Sequence, residues 1–259
     1  RLLSGWKEIF SGTTPADTSS IQEITREELM NVTHCNSSVI RNLVVRGVLS
    51  LYDAEVGRLN NGGVAHLENI NPLSTAQQAA FDQISKYREE NISKPILLHG
   101  VTSSGKTEIY IHLIEEAIKR GEQVLYLLPE IALTVQITNR LQKIFGDHLG
   151  IYHSKYSDAE RVEIWQKQLS DSPYDVILGA RSSVFLPFKK LGLIIIDEEH
   201  ESSFKQQDPS PRYHARSVAM MMATWAKAQV ILGTATPSAE SYYNATQGKY
   251  HLIKLTERY

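Results

Sequence analysis

Residues Gly100-Val101-Thr102-Ser103-Ser104-Gly105-Lys106-Thr107 match the spacing G-x-x-x-x-G-K-[ST] in full. That spacing does phosphate chemistry. Gly100 and Gly105 let the backbone curl so that several N–H groups point at one anion. A helix beginning near Lys106 adds the positive end of its dipole. The Lys106 ammonium is expected to reach the β- and γ-phosphates and the Thr107 hydroxyl to ligate Mg²⁺. Thr102, Ser103, Ser104 and Glu108 complete the expected nucleotide-contacting set. A second group, Asp197-Glu198-Glu199-His200, follows the apolar run Leu193-Ile194-Ile195-Ile196. Carboxylates there sit at the C-terminal end of a buried strand, where open α/β sheets do their ligand chemistry. Asp197 is expected to hold Mg²⁺ through its water shell and Glu198 to orient and deprotonate a water, with His200 completing the catalytic group. Alone, such a cluster reads as an acidic loop capping the next helix. A phosphate loop in the same chain supplies its partner.

The elements that must position these groups are legible in the apolar pattern. Ile96-Leu97-Leu98 predicts a buried strand just before the glycine loop, and Lys106 to Arg120 a helix that stops at Gly121. Val124–Leu128 predicts a second strand, with a helix ending near Gly146, and Gly150–His153 a third, followed by a helix from Asp158 to about Leu169. Val176–Leu178, Leu193–Ile196 and Val230–Leu232 predict further strands. Continuous apolar strands alternating with helices imply an α/β fold, a parallel sheet covered by helices on both faces. Upstream the rhythm differs. Residues 1–20 hold a short apolar cluster (Trp6, Ile9, Phe10) and a linker-like Ser11–Pro15. Residues 21–71 then run through a capping box, Thr25-Arg26-Glu27-Glu28, a turn at His34-Cys35-Asn36 and a helix from Ser37 to Arg46. A small hairpin over 49–59 and a turn at Asn60–Gly63 follow. Helix, turn, helix, hairpin is the outline of a winged helix. In its second helix Arg41, Asn42 and Arg46 are the polar residues placed to meet DNA, although such helices also serve as protein contacts. The remainder, 72–259, is the nucleotide-binding lobe.

Bulk composition narrows the class without choosing a partner. The chain has 259 residues, 42% hydrophobic and 22% charged, with a net charge of −2. That balance gives no general attraction to nucleic acid, so DNA contacts must come from local patches. A single cysteine, Cys35, excludes an internal disulfide and a multi-cysteine zinc site within these residues. No apolar run approaches the roughly 18 residues of a membrane span. Met220, Met221 and Met222, on a helix with Trp225, are expected to pack into the core. His34, His66, His99, His112 and His148 form no ligand-like group.

Gly233-Thr234-Ala235-Thr236-Pro237-Ser238 follows another apolar strand. Taken alone, two hydroxyls flanking alanine are as easily a helix N-cap. In the order glycine loop, Asp-Glu-Glu-His, Thr-Ala-Thr, the chain resembles the superfamily-2 helicases, in which such an element (here Thr234 and Thr236) couples hydrolysis to strand movement. Finer features resemble the bacterial primosomal helicases of the PriA family. Leu73–Gln77 stands where that family carries an adenine-reading glutamine, here Gln77, whose amide offers both a donor and an acceptor. Leu128-Pro129-Glu130-Ile131-Ala132-Leu133-Thr134 is similar to the motif that lies along single-stranded DNA, which implies contacts from Pro129 and Glu130. His153-Ser154 and Gly179–Phe185 look like the two motifs after it, with Arg181, Ser182 and Ser183 as phosphate ligands. Residues 201–216 resemble the aromatic-rich, DNA-sensing loop of PriA and RecQ helicases. Phe204 and Tyr213 would offer stacking faces, and Lys205, Arg212 and Arg216 charge. Many relatives place a tryptophan before the Arg-Tyr-His run, where this chain has Ser210-Pro211, so stacking would be weaker or fall to Phe204.

The resemblance runs from about Leu73 to the end and implies a RecA-like P-loop lobe preceded by a winged helix. It implies ATP or ADP with Mg²⁺ as ligands, and zinc in the intact protein but not in this chain. It also implies 3′-to-5′ unwinding at stalled forks in replication restart and primosome assembly. Partners would be branched and single-stranded DNA, single-strand-binding protein and helicase-loading proteins, with no membrane, in a bacterial cytoplasm at the nucleoid. With only 23 residues after Thr236, the chain reads as a piece with one motor lobe that binds nucleotide but cannot unwind alone. Two other readings stay open: another superfamily-2 translocase, and a nucleotide-switched winged-helix regulator.

Overall fold

The computed structural model describes residues 29–30, 33–49, 63–90, 94–153 and 156–257. The chain divides into two compact units, Arg1–Val56 and Gly57–Tyr259. In the first, α1 (Ser37–Val45) forms where the apolar spacing predicts it. Asn36 caps it, its side chain accepting from the Val39 N–H at 3.3 Å, and Gly47 follows the stop at φ +68°. Ile40 is buried, whereas Arg41, Asn42 and Arg46 are exposed. The capping box at 25–28 and most of the hairpin at 49–59 lie outside the described residues.

Among the described residues, the second unit is a seven-stranded sheet in the order β3-β4-β2-β5-β6-β1-β7. After α2 (Thr75–Glu89) come β1 (Ile96–Gly100), α3 (Lys106–Lys119), β2 (Gln123–Leu127), α4 (Val135–Phe145) and β3 (Leu149–Tyr152). They are followed by α5 (Asp158–Leu169), β4 (Val176–Gly179), β5 (Leu191–Asp197), α6 (Ala215–Ala226), β6 (Gln229–Thr234), α7 (Ala239–Thr246) and β7 (His251–Leu255). Every neighbouring pair is parallel. The pleat sends alternate residues to opposite cores: Leu193 and Ile195 to one, Ile194 and Ile196 to the other. This is why the strands read as unbroken apolar runs rather than alternating ones. No helix among the described residues is long and apolar enough to cross a membrane.

Strand order is what builds the site. β6 lies between β1 and β5, so the carboxyl ends of these three strands bring the glycine loop, the Thr-Ala-Thr segment and the acidic group to one edge.

Three expectations change. β7, which pairs with β1 from Ile96↔His251 to Gly100↔Leu255, is additional. Its run His251-Leu-Ile-Lys-Leu is short and half-exposed at a sheet edge, so it lacks the continuous apolar signal of the inner strands. The unit boundary falls at 56/57 rather than 71/72. Residues 63–70 belong with the large unit because His66 N–H donates to Ile144 O at 2.9 Å and Asp147 N–H to Gly63 O at 3.0 Å. In α6, Met220 and Met222 do pack on the core, but Met221 and Trp225 are exposed.

Candidate functional site

The glycine loop leaves β1 and enters α3 through two left-handed residues, Ser103 (φ +62°) and Gly105 (φ +74°). Left-handed residues within a short turn aim successive N–H groups at one point. A Cβ on Gly100 would lie 2.6 Å from Ser104 Oγ and 3.2 Å from Lys106 Cγ, so the loop closes over its own first residue. Lys106 is buried, and its Nζ donates to Gly100 O at 2.9 Å. Ser104 Oγ is buried with no hydrogen-bond partner among the described residues. A curled backbone, an orphaned hydroxyl and a buried ammonium fit a polyphosphate. Thr107 at the head of α3 and Asp197 supply the hard oxygen donors that suit Mg²⁺.

Two residues assigned to the nucleotide have other work in this structure. Gln77 is 1% exposed, and its amide is already engaged. Its Oε1 accepts from Ser74 N–H at 2.8 Å, and its Nε2 donates to Ser104 O at 3.1 Å. Ser74-x-x-Gln77 is a capping box for α2, a spacing visible in the sequence, and it ties that helix to the glycine loop. Glu108 is buried and ion-paired with Arg140 of α4, because its position in the first turn of α3 turns it into the lobe. Thr102 and Ser103 stand exposed at the rim of the loop.

Across β6, Asp197 ends β5 nine-tenths buried. Its Oδ1 accepts from Tyr110 Oη at 3.0 Å and from Glu198 N–H at 3.1 Å. Burial pushes its pKa up to about 6, with Glu198 adding to the rise while the Lys106 charge and these hydrogen bonds oppose it. The phenols of Tyr110 and Tyr126, whose rings meet edge-on at 5.6 Å, are pushed well above the usual range by burial and then by the Asp197 charge. Glu198 is half-exposed and sits at φ +49°, a left-handed conformation that a non-glycine residue adopts only when its surroundings enforce it. His200 spans to the Thr-Ala-Thr segment: Nδ1 lies 2.8 Å from Thr234 Oγ1, and Nε2 lies 3.4 Å from Thr236 Oγ1. Its Nδ1 is also 3.7 Å from Glu198. His99 of β1 reaches Ala235 O at 3.2 Å, so all three motifs are joined.

Gly233 marks the tightest point. A Cβ there would fall 1.6 Å from Tyr110 Oη and 3.0 Å from Asp197 Oδ1. Gly233→Ala is therefore expected to destabilise the lobe by about 3 kcal/mol through overpacking. Thermal melts should show Tyr110→Phe restoring part of that loss in the double variant. A single variant that melts at the wild-type temperature would contradict this packing.

Further along the same edge, the segments after β2, β3, β4 and β5 carry the residues expected to meet DNA. Glu130 is exposed beside Ile131 (83% exposed) and Val135 (75%), while Pro129 is buried and its carbonyl accepts from the N–H groups of Ala132 and Leu133. His153 packs against Tyr156 with the rings tilted by 39° and their centroids 3.9 Å apart, and Ser154 lies outside the described residues. Arg181 donates to Ser203 O at 3.2 Å and Lys205 O at 3.3 Å, fastening the aromatic-rich loop. Ser182 is half-buried; Ser183 is fully buried, with its Oγ 3.4 Å from Tyr152 O. Within the loop, Phe204 is fully buried in the core and offers no stacking face, which corrects the expectation drawn from Ser210-Pro211. Tyr213 is partly exposed and meets the half-exposed Phe185 edge-on at 4.7 Å. Arg212 is exposed, and Lys205 Nζ donates to Arg212 O at 2.5 Å. Arg216 is not a free cation either, since it pairs inward with Glu199.

Tyr110, Phe185 and Glu199 are the residues that motif spacing missed. Nothing local distinguishes Tyr110 from its apolar neighbours on α3. Glu199 was hidden inside an acidic run.

A DEAD/DEAH box helicase family model matches residues 74–245, and a model of the winged helix domain of PriA helicase from Bacteroidota matches residues 3–56. Replication restart protein PriA of Bacillus subtilis is 41% identical over 238 residues, 91% of this chain and 29% of that protein. PriA of Rickettsia felis is 51% identical over 167 residues, 64% of this chain and 26% of that protein. Among solved structures, the Pyrococcus furiosus Hef helicase domain aligns with a TM-score of 0.55 at 18% identity, covering 76% of this chain and 40% of that one. RecG bound to a three-way DNA junction aligns at 0.51 and 24% identity, covering 73% of this chain and 24% of that one. These structural likenesses establish the fold. The chain spans under a third of the length of the curated relatives it matches. It belongs to the DEAD/DEAH box helicase family, and the curated proteins it matches over most of its length are PriA replication restart proteins.

Proposed function

We propose that this chain is the ATP-binding first lobe, with a preceding winged-helix region, of an ATP-dependent 3′-to-5′ DNA helicase acting in replication restart and primosome assembly. One observation carries the reading: Lys106, Asp197 and the His200–Thr234–Thr236 contact converge at the carboxyl ends of three adjacent strands. Lys106 and the first-turn amides of α3 hold the phosphates. Thr107 and Asp197 hold Mg²⁺, which when bound neutralises charge building up on the transferring phosphoryl group. Glu198 orients the attacking water and accepts its proton. His200, shared between two threonine hydroxyls, passes any movement of the acidic turn to the segment after β6. Glu130, His153, Arg181, Ser182 and the loop around Lys205, Arg212 and Tyr213 lie toward single-stranded DNA, with Ser154 beside them in sequence.

In the same reading the intact protein engages branched DNA, single-strand-binding protein and helicase-loading proteins. It carries zinc outside this chain and works in the bacterial cytoplasm at the nucleoid. The test is ATP turnover and strand separation by the intact protein on forked DNA. Turnover indifferent to DNA would reject the helicase reading. Stimulated turnover without strand separation would favour a translocase, and nucleotide-dependent DNA binding without turnover a regulator. The isolated chain should bind Mg·ADP yet turn over ATP at least ~10³-fold more slowly than the intact protein, since an arginine finger would come from a second lobe. A steady-state ATPase assay comparing the two checks this.

A further inference from the structure

Glu199 carries the most completely satisfied carboxylate of the site, and nothing in the chemistry above uses it. It is 1% exposed. Its Oε1 accepts from Ser238 N–H at 2.7 Å. Its Oε2 accepts from Ser238 Oγ at 3.1 Å, Ser241 Oγ at 2.9 Å and the Arg216 guanidinium. Arg216 also donates to Ser238 Oγ at 3.0 Å and pairs with Glu240 through its other terminal nitrogen. These partners come from two directions. Ser238 caps α7, just after the Thr-Ala-Thr segment. Arg216 is the second residue of α6, into which the aromatic-rich loop runs directly. That loop is itself ordered: Gln206 N–H donates to Tyr213 O at 2.9 Å, and Lys205 bridges to His214.

Glu199 adjoins the strained residue. Glu198 holds its left-handed backbone between Asp197, whose carboxylate accepts the Glu198 N–H, and Glu199, whose own N–H donates to Gly233 O at 3.1 Å. An L-residue leaves that conformation readily unless both flanks are pinned. A carboxylate buried this deeply keeps its place only while its donors do, because losing one leaves a charge without compensation.

We propose that the buried Glu199–Arg216 pair is a positioning device for Glu198, holding the turn that carries it against α6 and the start of α7. The inference rests on the helicase reading above and assigns roles to residues that touch neither nucleotide nor DNA.

The test uses Glu199→Gln, Arg216→Lys and Ser241→Ala, in the intact helicase for turnover and in this chain for binding and amide exchange. Arg216→Lys keeps the charge but loses the fork that spans Glu199 and Glu240. The first two variants should lower DNA-stimulated kcat by about 10- to 100-fold, as expected for a misplaced reacting group. The KM for ATP, ADP affinity and single-stranded DNA affinity should stay within about twofold of wild type. Ser241→Ala, which removes one donor and is the fallback if the others fail to fold, should give a smaller loss of the same pattern. In the chain without nucleotide, the amides of Glu199 and Glu201 should exchange at least about tenfold faster in Arg216→Lys. Wild-type kcat in a folded variant overturns the proposal, as does equal loss of kcat and ADP affinity. If the unmodified intact protein shows no DNA-stimulated turnover, the helicase reading fails instead. The pair is then decided by amide exchange alone, unchanged rates refuting it.

Discussion

Asp197→Asn should abolish Mg²⁺-dependent turnover, lowering kcat in the intact helicase on the order of 10³-fold, while making the nucleotide-free lobe more stable at neutral pH. Both effects come from one carboxylate. Burial lifts its pKa from 3.8 to about 6, so the folded state binds more protons than the unfolded chain between those values. The stabilisation from that proton uptake is fully present below about 3.8 and lost as pH rises through about 6. Above it, the lobe carries an ionised group in a poor environment at a cost of about 3 kcal/mol, taking about 1.4 kcal/mol per pKa unit. Asparagine keeps the acceptor facing Tyr110 Oη and Glu198 N–H without the charge. The variant should therefore melt roughly 5–10 °C above wild type at pH 7.5, and the gap should close as pH falls from 6 toward 4. Adding Mg²⁺ to the ADP-bound lobe should raise the melting temperature of wild type further and leave that of the variant almost unchanged. A variant that is no more stable at pH 7.5, or that retains Mg²⁺-dependent turnover, would show that Asp197 is not the buried metal ligand.

Lys106→Ala should weaken ADP binding about 10²-fold or more, read by isothermal titration on this chain. A charge-assisted hydrogen bond to a phosphate oxygen stabilises by about 1.5–3 kcal/mol, and burial of the ammonium keeps water from screening it. Stability should change far less than affinity, since Lys106 Nζ donates to Gly100 O in its own loop. The Gly100 curl rests on backbone and on Ser104, so it should survive. Unchanged ADP affinity in a folded variant would move the nucleotide elsewhere.

These experiments separate binding from chemistry at one edge of one sheet. In the proposed reading Lys106 acts on the substrate, Asp197 on the metal, and Glu199 on the geometry of the residue between them and the water. Three kinds of loss are expected: of affinity, of metal dependence, and of kcat alone.

How much of this was legible beforehand depended on whether the signal was local. The glycine loop, the acidic group at the end of an apolar run, the bounds of α3 and α5 and the end of α4 follow from spacing within a few residues of each other. A P-loop needs its glycines and lysine at set intervals whatever surrounds it, and a parallel strand buried on both faces must be apolar throughout. The chain order of the motifs carried the helicase resemblance for the same reason.

The remainder required residues distant in sequence to meet. Phe204 reads as a stacking face and Arg216 as a DNA-facing cation, because exposure cannot be inferred from residue type inside a loop. Folding buries the first in the core and pairs the second with Glu199, 17 residues away. Gln77 reads as an adenine contact until its amide is found bonded to Ser104 O across 27 residues. Gly233 gains its meaning only when β6 brings it against Tyr110. Sequence alone determined which groups could hold a phosphate and a divalent cation, since that chemistry is a matter of residue type and short-range spacing. Tertiary structure decided which side chains face the site and which are spent holding it, because burial and ion pairing are set by strand order.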